Sequence, residues 1–296
     1  MKTMPLHKQP VYIGRFAPSP SGPLHFGSLV AAMGSYLDAR THQGQWLLRM
    51  EDLDPPREKP GAADDILRTL EAFGFQWDAS ILYQSTRTLA YQEAVDTLIQ
   101  AGHAYPCTCS RKQIAESGLI GIEGHIYPGT CRNRPAPTRQ RFAIRFNTES
   151  HTVTFIDRIH GHLTQHIASE MGDFIIKRID GLFAYQLAVV VDDAYQGITH
   201  VVRGADLLHS TPRQIMLQQR LHLETPSYAH LPLVMDENGK KLSKQTQAHR
   251  VDKKKPLPEL IAAFEFLGQQ LDREKPGSVA EFWEFARENW QIDKIR

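Results

Sequence analysis

Apolar positions fall first into a short run at 11–13 and then, after a Pro- and Gly-rich turn, into an Ala- and Leu-rich stretch at 29–39. The first reads as a buried strand and the second as a helix. Gln45-Trp-Leu-Leu-Arg-Met-Glu-Asp52 reads as a second buried strand ending in polar residues, and the following Leu-Asp-Pro-Pro breaks it. Ile66, Leu67, Leu70 and Phe73 recur at helical spacing over 61–73, with Gly74 as the stop. Residues 82–85 predict a short third strand. Ser85 or Thr86 then caps a helix running to about residue 100, with Gly102 after it. Alternating strands and helices predict a parallel sheet covered by helices on both faces.

The pattern breaks at Ala104-Tyr-Pro-Cys-Thr-Cys109. Residues 103–165 are rich in Gly and Pro, with short alternating runs at 142–146 and 153–156, and read as a smaller inserted subdomain. The sheet is expected to resume at 174–177. An apolar stretch covers 182–191, a strand ends at Arg203, and 206–223 is helical with a reset at Thr211-Pro212. Two short amphipathic helices are predicted at 257–271 and 279–290. The expected fold is α/β: a doubly wound parallel, Rossmann-type sheet split over 11–102 and 166–245, the insertion at 103–165, and a short helical C-terminal region at 246–296.

Composition changes this picture little. In 296 residues, 41% are hydrophobic and 23% charged, as in an ordinary globular protein. No run approaches the ~18 apolar residues of a membrane span. Residues 1–10 are polar and lack the apolar core of a signal peptide, so a cytoplasmic protein without membrane association is expected. The formal net charge of +1 announces no overall affinity for nucleic acid. RNA contact would have to come from local patches: Arg132, Arg134, Arg139, Arg141 and Arg145, or Arg250 with Lys253, Lys254 and Lys255.

Three groups of residues carry candidate chemistry. The turn Arg15-Phe-Ala-Pro-Ser-Pro-Ser-Gly-Pro-Leu-His-Phe-Gly-Ser28 joins a strand to a helix N-terminus, where backbone N–H groups and the helix dipole favour a phosphate. Gly22 and Gly27 allow close approach, and His25 is placed to donate to a phosphate oxygen. Lys241-Leu-Ser-Lys-Gln245 follows Asn238-Gly239 far downstream. All three cysteines, Cys107, Cys109 and Cys131, fall in the insertion, which points to a structural zinc ion rather than a disulfide in a reducing compartment. His103 and His125 are the chemically expected types for a fourth ligand.

The turn and the Lys241–Gln245 segment resemble the His-Ile-Gly-His and Lys-Met-Ser-Lys-Ser signatures of class I aminoacyl-tRNA synthetases. Phe26 and Ser28 depart from the first signature at positions where glutamyl-type enzymes commonly vary. Arg15-Phe-Ala-Pro-Ser-Pro-Ser-Gly22 and Val202-Arg-Gly-Ala-Asp-Leu-Leu-His-Ser-Thr-Pro-Arg-Gln214 resemble the glutamyl subgroup. The resemblance covers residue 11 to roughly residue 245. It implies L-glutamate and ATP with Mg²⁺ as substrates and glutamyl-adenylate as the intermediate. It assigns Arg15, Ala17, Ser19, Glu51, Tyr185 and Arg203 to glutamate, and His25, Gly27, Lys241 and Lys244 to ATP and the departing pyrophosphate. It also points to Tyr127 as the fourth zinc ligand. Two carboxylates and one ammonium call for two cations and one anion, which Arg15, Arg203 and Glu51 supply; which arginine takes which carboxylate stays open. Only 51 residues follow Gln245, too few for a helical anticodon-binding region. That is similar to glutamyl-Q tRNA(Asp) synthetases, which activate glutamate without tRNA and esterify it to queuosine in the anticodon loop of tRNA(Asp). The alternatives are a discriminating or split glutamyl-tRNA synthetase charging the 3′ end of tRNA(Glu) and a catalytically inactive synthetase-like RNA-binding module. A monomer is expected.

Overall fold

The computed structural model describes residues 11–138, 140–149, 151–235, 250–271 and 275–296. Its first half follows the apolar pattern: β1 (Ile13–Phe16), α1 (Phe26–Thr41), β2 (Gln45–Met50), α2 (Ala62–Ala72), β3 (Leu82–Tyr83) and α3 (Thr88–Gln100). β1 and β2 run parallel, as do β2 and β3. The turn before α3 departs from expectation. Ser85 does not cap the helix but gives its N–H and hydroxyl to Asp52, at 2.9 and 2.6 Å, and a 3₁₀ turn fills 84–87.

The middle of the chain gives β4 (Ala104–Cys107), α4 (Arg111–Ala115), β5 (Ile120–Gly121), β6 (Gly124–His125), β7 (Ala143–Phe146), β8 (Thr152–Asp157), β9 (Gly161–His166), α5 (Ile167–Glu170) and β10 (Phe174–Lys177). Two pairings here differ from the sequence reading. β10 does not resume the parallel sheet; it pairs antiparallel with β7, which pairs antiparallel with β4. The run at 153–156, expected within the insertion, is β8, which forms a hairpin with β9 and joins the parallel sheet through Tyr228 and Asp157. Alternation identifies a strand but not its partner, so both runs were legible as strands and neither as a neighbour.

The chain then forms α6 (Tyr185–Tyr195), β11 (His200–Gly204), α7 (Thr211–Arg220) and β12 (Ser227–Leu231). β11 pairs parallel with β12 and lies beside β1, where the Thr199 N–H donates to the Ile13 carbonyl at 2.9 Å. The strands thus run β3-β2-β1-β11-β12, with the order reversing between β1 and β11. Ligands of doubly wound sheets bind at that reversal, beyond the strands' carboxyl ends.

α8 (Pro256–Phe266) and α9 (Val279–Asn289) follow. They are a wall of the main core rather than a tail. Phe264, Phe282, Trp283 and Trp290 are buried in the same cluster as Leu29, Met33 and Trp46, and each such side chain contributes about 1.5–3 kcal/mol. Gly74 makes this packing possible: its φ is +79°, and a Cβ there would lie 2.7 Å from Val279. The indole N–H of Trp283 donates to the neighbouring Phe73 carbonyl at 2.9 Å. Among the described residues, no helix is long and apolar enough to cross a membrane.

Candidate active site

The carboxyl ends of β1, β2 and β11 open on a cavity of about 790 Å³. Arg15, Ala17, Ser19, His25, Gly27, Glu51, Tyr185 and Arg203 all line it. Lys241 and Lys244 lie outside the described residues. His25 is the N-cap of α1: its Nδ1 accepts from the Ser28 N–H at 3.2 Å, which leaves the ring proton of the neutral imidazole on Nε2. A Cβ on Gly27 would meet the His25 ring at 3.2 Å, so glycine lets the ring lie flat against the turn.

A charge ladder runs from the cavity lining, at Arg15 and Glu51, into the buried interior at Arg49 and Asp193. Arg15, 3% exposed, donates to Asp193 from Nε at 3.1 Å and from Nη2 at 3.4 Å. Asp193 also meets Arg49 Nη2 at 2.8 Å, and Arg49 Nη2 lies 3.7 Å from Glu51 Oε1. Burial disfavours the Asp193 carboxylate, but the two guanidinium groups outweigh it and hold its pKa below the usual range. Glu51 goes the other way. Burial dominates and lifts it to about 7, against the pull of Arg49 and Arg15.

Arg203 is held differently. It donates from Nε to His230 Nε2 at 3.1 Å, from Nη1 to the Tyr185 hydroxyl at 3.3 Å, and from Nη2 to Thr211 Oγ1 at 2.7 Å. Sequence reasoning missed Arg49, Asp193, His230 and Asp157. The signal for the first two was present: one arginine inside the apolar run of β2, and an aspartate pair closing the apolar stretch of α6.

A family model described as "tRNA synthetases class I (E and Q), catalytic domain" matches residues 12–257. The glutamyl-Q tRNA(Asp) synthetase of Dechloromonas aromatica is 56% identical over 287 residues, covering 96% of this chain and 95% of that one. The protein of that name from Chromobacterium violaceum is 51% identical over 285 residues, covering 96% and 95%. The chain belongs to the glutamyl-Q tRNA(Asp) synthetase family. Membership makes it a ligase-type enzyme with a class I synthetase catalytic domain. Among solved structures, glutamate-tRNA synthetase from Elizabethkingia anophelis shares the fold with a TM-score of 0.78 at 23% identity, covering 97% of this chain and 67% of that longer one. A glutamate tRNA ligase from Elizabethkingia meningosepticum, solved with its amino acid, gives 0.76 at 23% identity; the chain spans 65% of it.

The insertion brings Cys107, Cys109 and Cys131 together, their sulfurs within 4.8 Å of one another. The Tyr127 hydroxyl lies 3.4 Å from Cys107 Sγ and 3.7 Å from Cys109 Sγ, and Cys109 Sγ is 3.5 Å from Cys131 Sγ. Tetrahedral zinc with thiolate and oxygen ligands has S···S and S···O edges of about 3.8 and 3.5 Å, so this donor set fits the ion. Tyr127, and neither His103 nor His125, is brought to the sulfurs. Arg145 donates to Cys107 Sγ at 3.3 Å and lies over the Tyr127 ring. That overturns its reading as a surface RNA contact, since it is buried. Arg132 pairs with Asp173, and Arg250 and Lys253 both pair with Asp65. Arg134, Arg141, Lys254 and Lys255 are exposed, and Arg139 lies outside the described residues.

Proposed function

We propose that this protein activates L-glutamate with ATP, without tRNA, and transfers it to queuosine at the wobble position of tRNA(Asp). The observation that carries the reading is the complement of charges in one cavity: Arg15 and Arg203 for the two carboxylates and Glu51 for the ammonium. With Glu51 ionised, these three side chains sum to +1, opposite to the net charge of glutamate. Tyr185, Ala17 and Ser19 complete the amino-acid site. ATP with Mg²⁺ occupies the first strand–helix turn, where His25, Gly27 and the α1 N-terminus face its phosphates. Lys244, aided by Lys241, neutralises the departing pyrophosphate. The glutamate α-carboxylate attacks the α-phosphorus, the bond to pyrophosphate breaks, and glutamyl-adenylate forms. A queuosine hydroxyl then attacks the acyl carbon, and AMP leaves. Positioning and charge carry the rate; no covalent enzyme intermediate is required. The relatives' name favours this reaction over charging of tRNA(Glu) and over an inactive module. The compartment that fits it is the cytoplasm.

The test is glutamate-dependent ATP–pyrophosphate exchange in the absence of tRNA. Exchange is expected, and its absence with active enzyme would refute the reading. Its pH profile reports Glu51. The ammonium needs the ionised carboxylate, so kcat/KM for glutamate should fall about tenfold per unit as pH drops below about 7. Glu51→Gln should lower kcat/KM at neutral pH and flatten that limb. An unchanged acid limb in the variant would assign the titration elsewhere.

We also propose that Cys107, Cys109, Tyr127 and Cys131 hold one structural zinc ion. Burial pushes the Tyr127 phenol above its ordinary value, and a bound dication would supply the missing stabilisation of the phenolate. Cys109→Ala should release the metal and open 107–138 to protease, with exchange activity retained, because β1, α1 and β11 lie outside this unit. Metal analysis finding no zinc in the intact protein would overturn the assignment.

A further inference from the structure

Arg203 differs from Arg15 and Arg49 in what holds it. Arg15 and Arg49 each meet a carboxylate of Asp193. The groups bonded to Arg203 are an imidazole, a phenol, a hydroxyl and the Leu207 carbonyl, none of which is an anion. The imidazole belongs to His230 on β12, fully buried, and behind it lies Asp157 at the end of β8, 1% exposed. Arginine only donates, so His230 Nε2 accepts and the ring proton sits on Nδ1. Nδ1 is 2.7 Å from Asp157 Oδ2. The other oxygen of Asp157 accepts the backbone N–H groups of Ile159 and His160, each at 2.9 Å. The carboxylate is thereby pinned by the turn between β8 and β9. Burial pushes the imidazole down to about 4, although the bond to Asp157 acts the other way, so the group behind Arg203 stays neutral.

We infer that Asp157 and His230 are positioning residues for glutamate binding: they fix the tautomer of the acceptor behind Arg203, and so aim a guanidinium of undiminished charge at a substrate carboxylate. A carboxylate in the place of His230 would hold the arginine as firmly but neutralise it, as Asp193 partly does for Arg15. A neutral imidazole holds it and leaves the charge for the ligand. Without Asp157 the ring is free to place its proton on Nε2, where it opposes the Arg203 Nε–H donor to donor. This rests on the reading that Arg203 binds glutamate, and it explains why the end of β8, outside the cavity lining, carries a buried acid.

The test uses the full-length enzyme in glutamate-dependent exchange, with three variants and one control. His230→Leu removes the acceptor, and Asp157→Asn removes the group that sets the tautomer. His230→Gln returns an acceptor oxygen near the place of Nε2. The first two should lower kcat/KM for glutamate about a hundredfold while KM for ATP is unchanged, and His230→Gln should stay within about fivefold of the parent. Nitrogen NMR should show the Nδ1-protonated tautomer in the parent, lost in Asp157→Asn. If His230→Gln is as impaired as His230→Leu, or KM for ATP rises in step, the pair is only packing and the inference fails. The control is Arg203→Gln. If it activates glutamate normally, the underlying assignment of Arg203 is wrong. If it is inactive while His230→Leu is unimpaired, only the positioning role falls.

Discussion

Asp193→Asn is expected to abolish glutamate activation and to lower stability by about 3–5 kcal/mol, the cost of breaking a buried ion pair by removing one partner. Asp193 lies between Arg15 at 3.1 Å and Arg49 at 2.8 Å, and all three side chains are buried. Neutralising it leaves two guanidinium groups close together with Glu51, 3.7 Å from Arg49, as the remaining nearby carboxylate. Arg15 would lose one of the two hydrogen bonds that orient it, since asparagine keeps a single acceptor oxygen and turns the other position into a donor. Asp193→Glu should not rescue activity, because an added methylene drives the carboxylate into the Arg15–Arg49 gap. Urea midpoints measure the loss of stability, and ATP–pyrophosphate exchange the loss of activation, at temperatures where the variant is folded. The sign of the pH dependence follows from the depressed pKa. The stabilisation by Asp193 is present above the unfolded-state value near 3.9 and is lost as pH falls through the lower folded-state value. A variant with parental stability and exchange would show that the arginines are held by other means.

This network marks the boundary of what the sequence discloses. The strand–turn–helix around His25 is local: apolar run, Pro- and Gly-rich turn and helix lie within thirty consecutive residues, so each could be read in place. The partners of Arg15 and Arg49 lie on α6, far along the chain, and nothing in residues 11–52 indicates them. Only a buried arginine's need for a counter-charge could have prompted a search. His230 and Asp157 were hidden for a second reason. They meet because β12 pairs with β8 at one residue pair, Tyr228 with Asp157, and strand alternation carries no record of the neighbour. The C-terminal helices were legible as amphipathic, yet reading them as an appendage undervalued Phe264, Phe282, Trp283 and Trp290. Aromatic density of that kind signals a core wall. The cysteines were the easiest case, because three in one short segment need no fold to be associated, whereas Tyr127 needed the resemblance.

The sharpest expected result concerns the acceptor. With tRNA(Asp) lacking its 3′-terminal adenosine but carrying queuosine, labelled glutamate should still be attached. The same tRNA with guanine at the wobble position should accept none. The reason is chemical rather than a matter of affinity. The second step needs a hydroxyl nucleophile, which the cyclopentene diol of queuosine supplies and guanine lacks. A site built for a hydroxyl typically rejects an analogue without it by about 10⁴–10⁵. An unstacked anticodon-loop base is also the form in which single-stranded RNA is usually read, by shape, stacking and hydroxyl contacts. Removing the terminal adenosine is the decisive control, because it eliminates the ordinary 3′ acceptor and leaves the modified base as the acceptor the proposed second step uses. Periodate alone does not separate the two, since it attacks both diols. If the truncated tRNA(Asp) accepts nothing while intact tRNA(Glu) is charged, the cavity does activate glutamate but delivers it to a 3′ end. The charge complement of Arg15, Arg203 and Glu51 would then survive, and the queuosine acceptor would not.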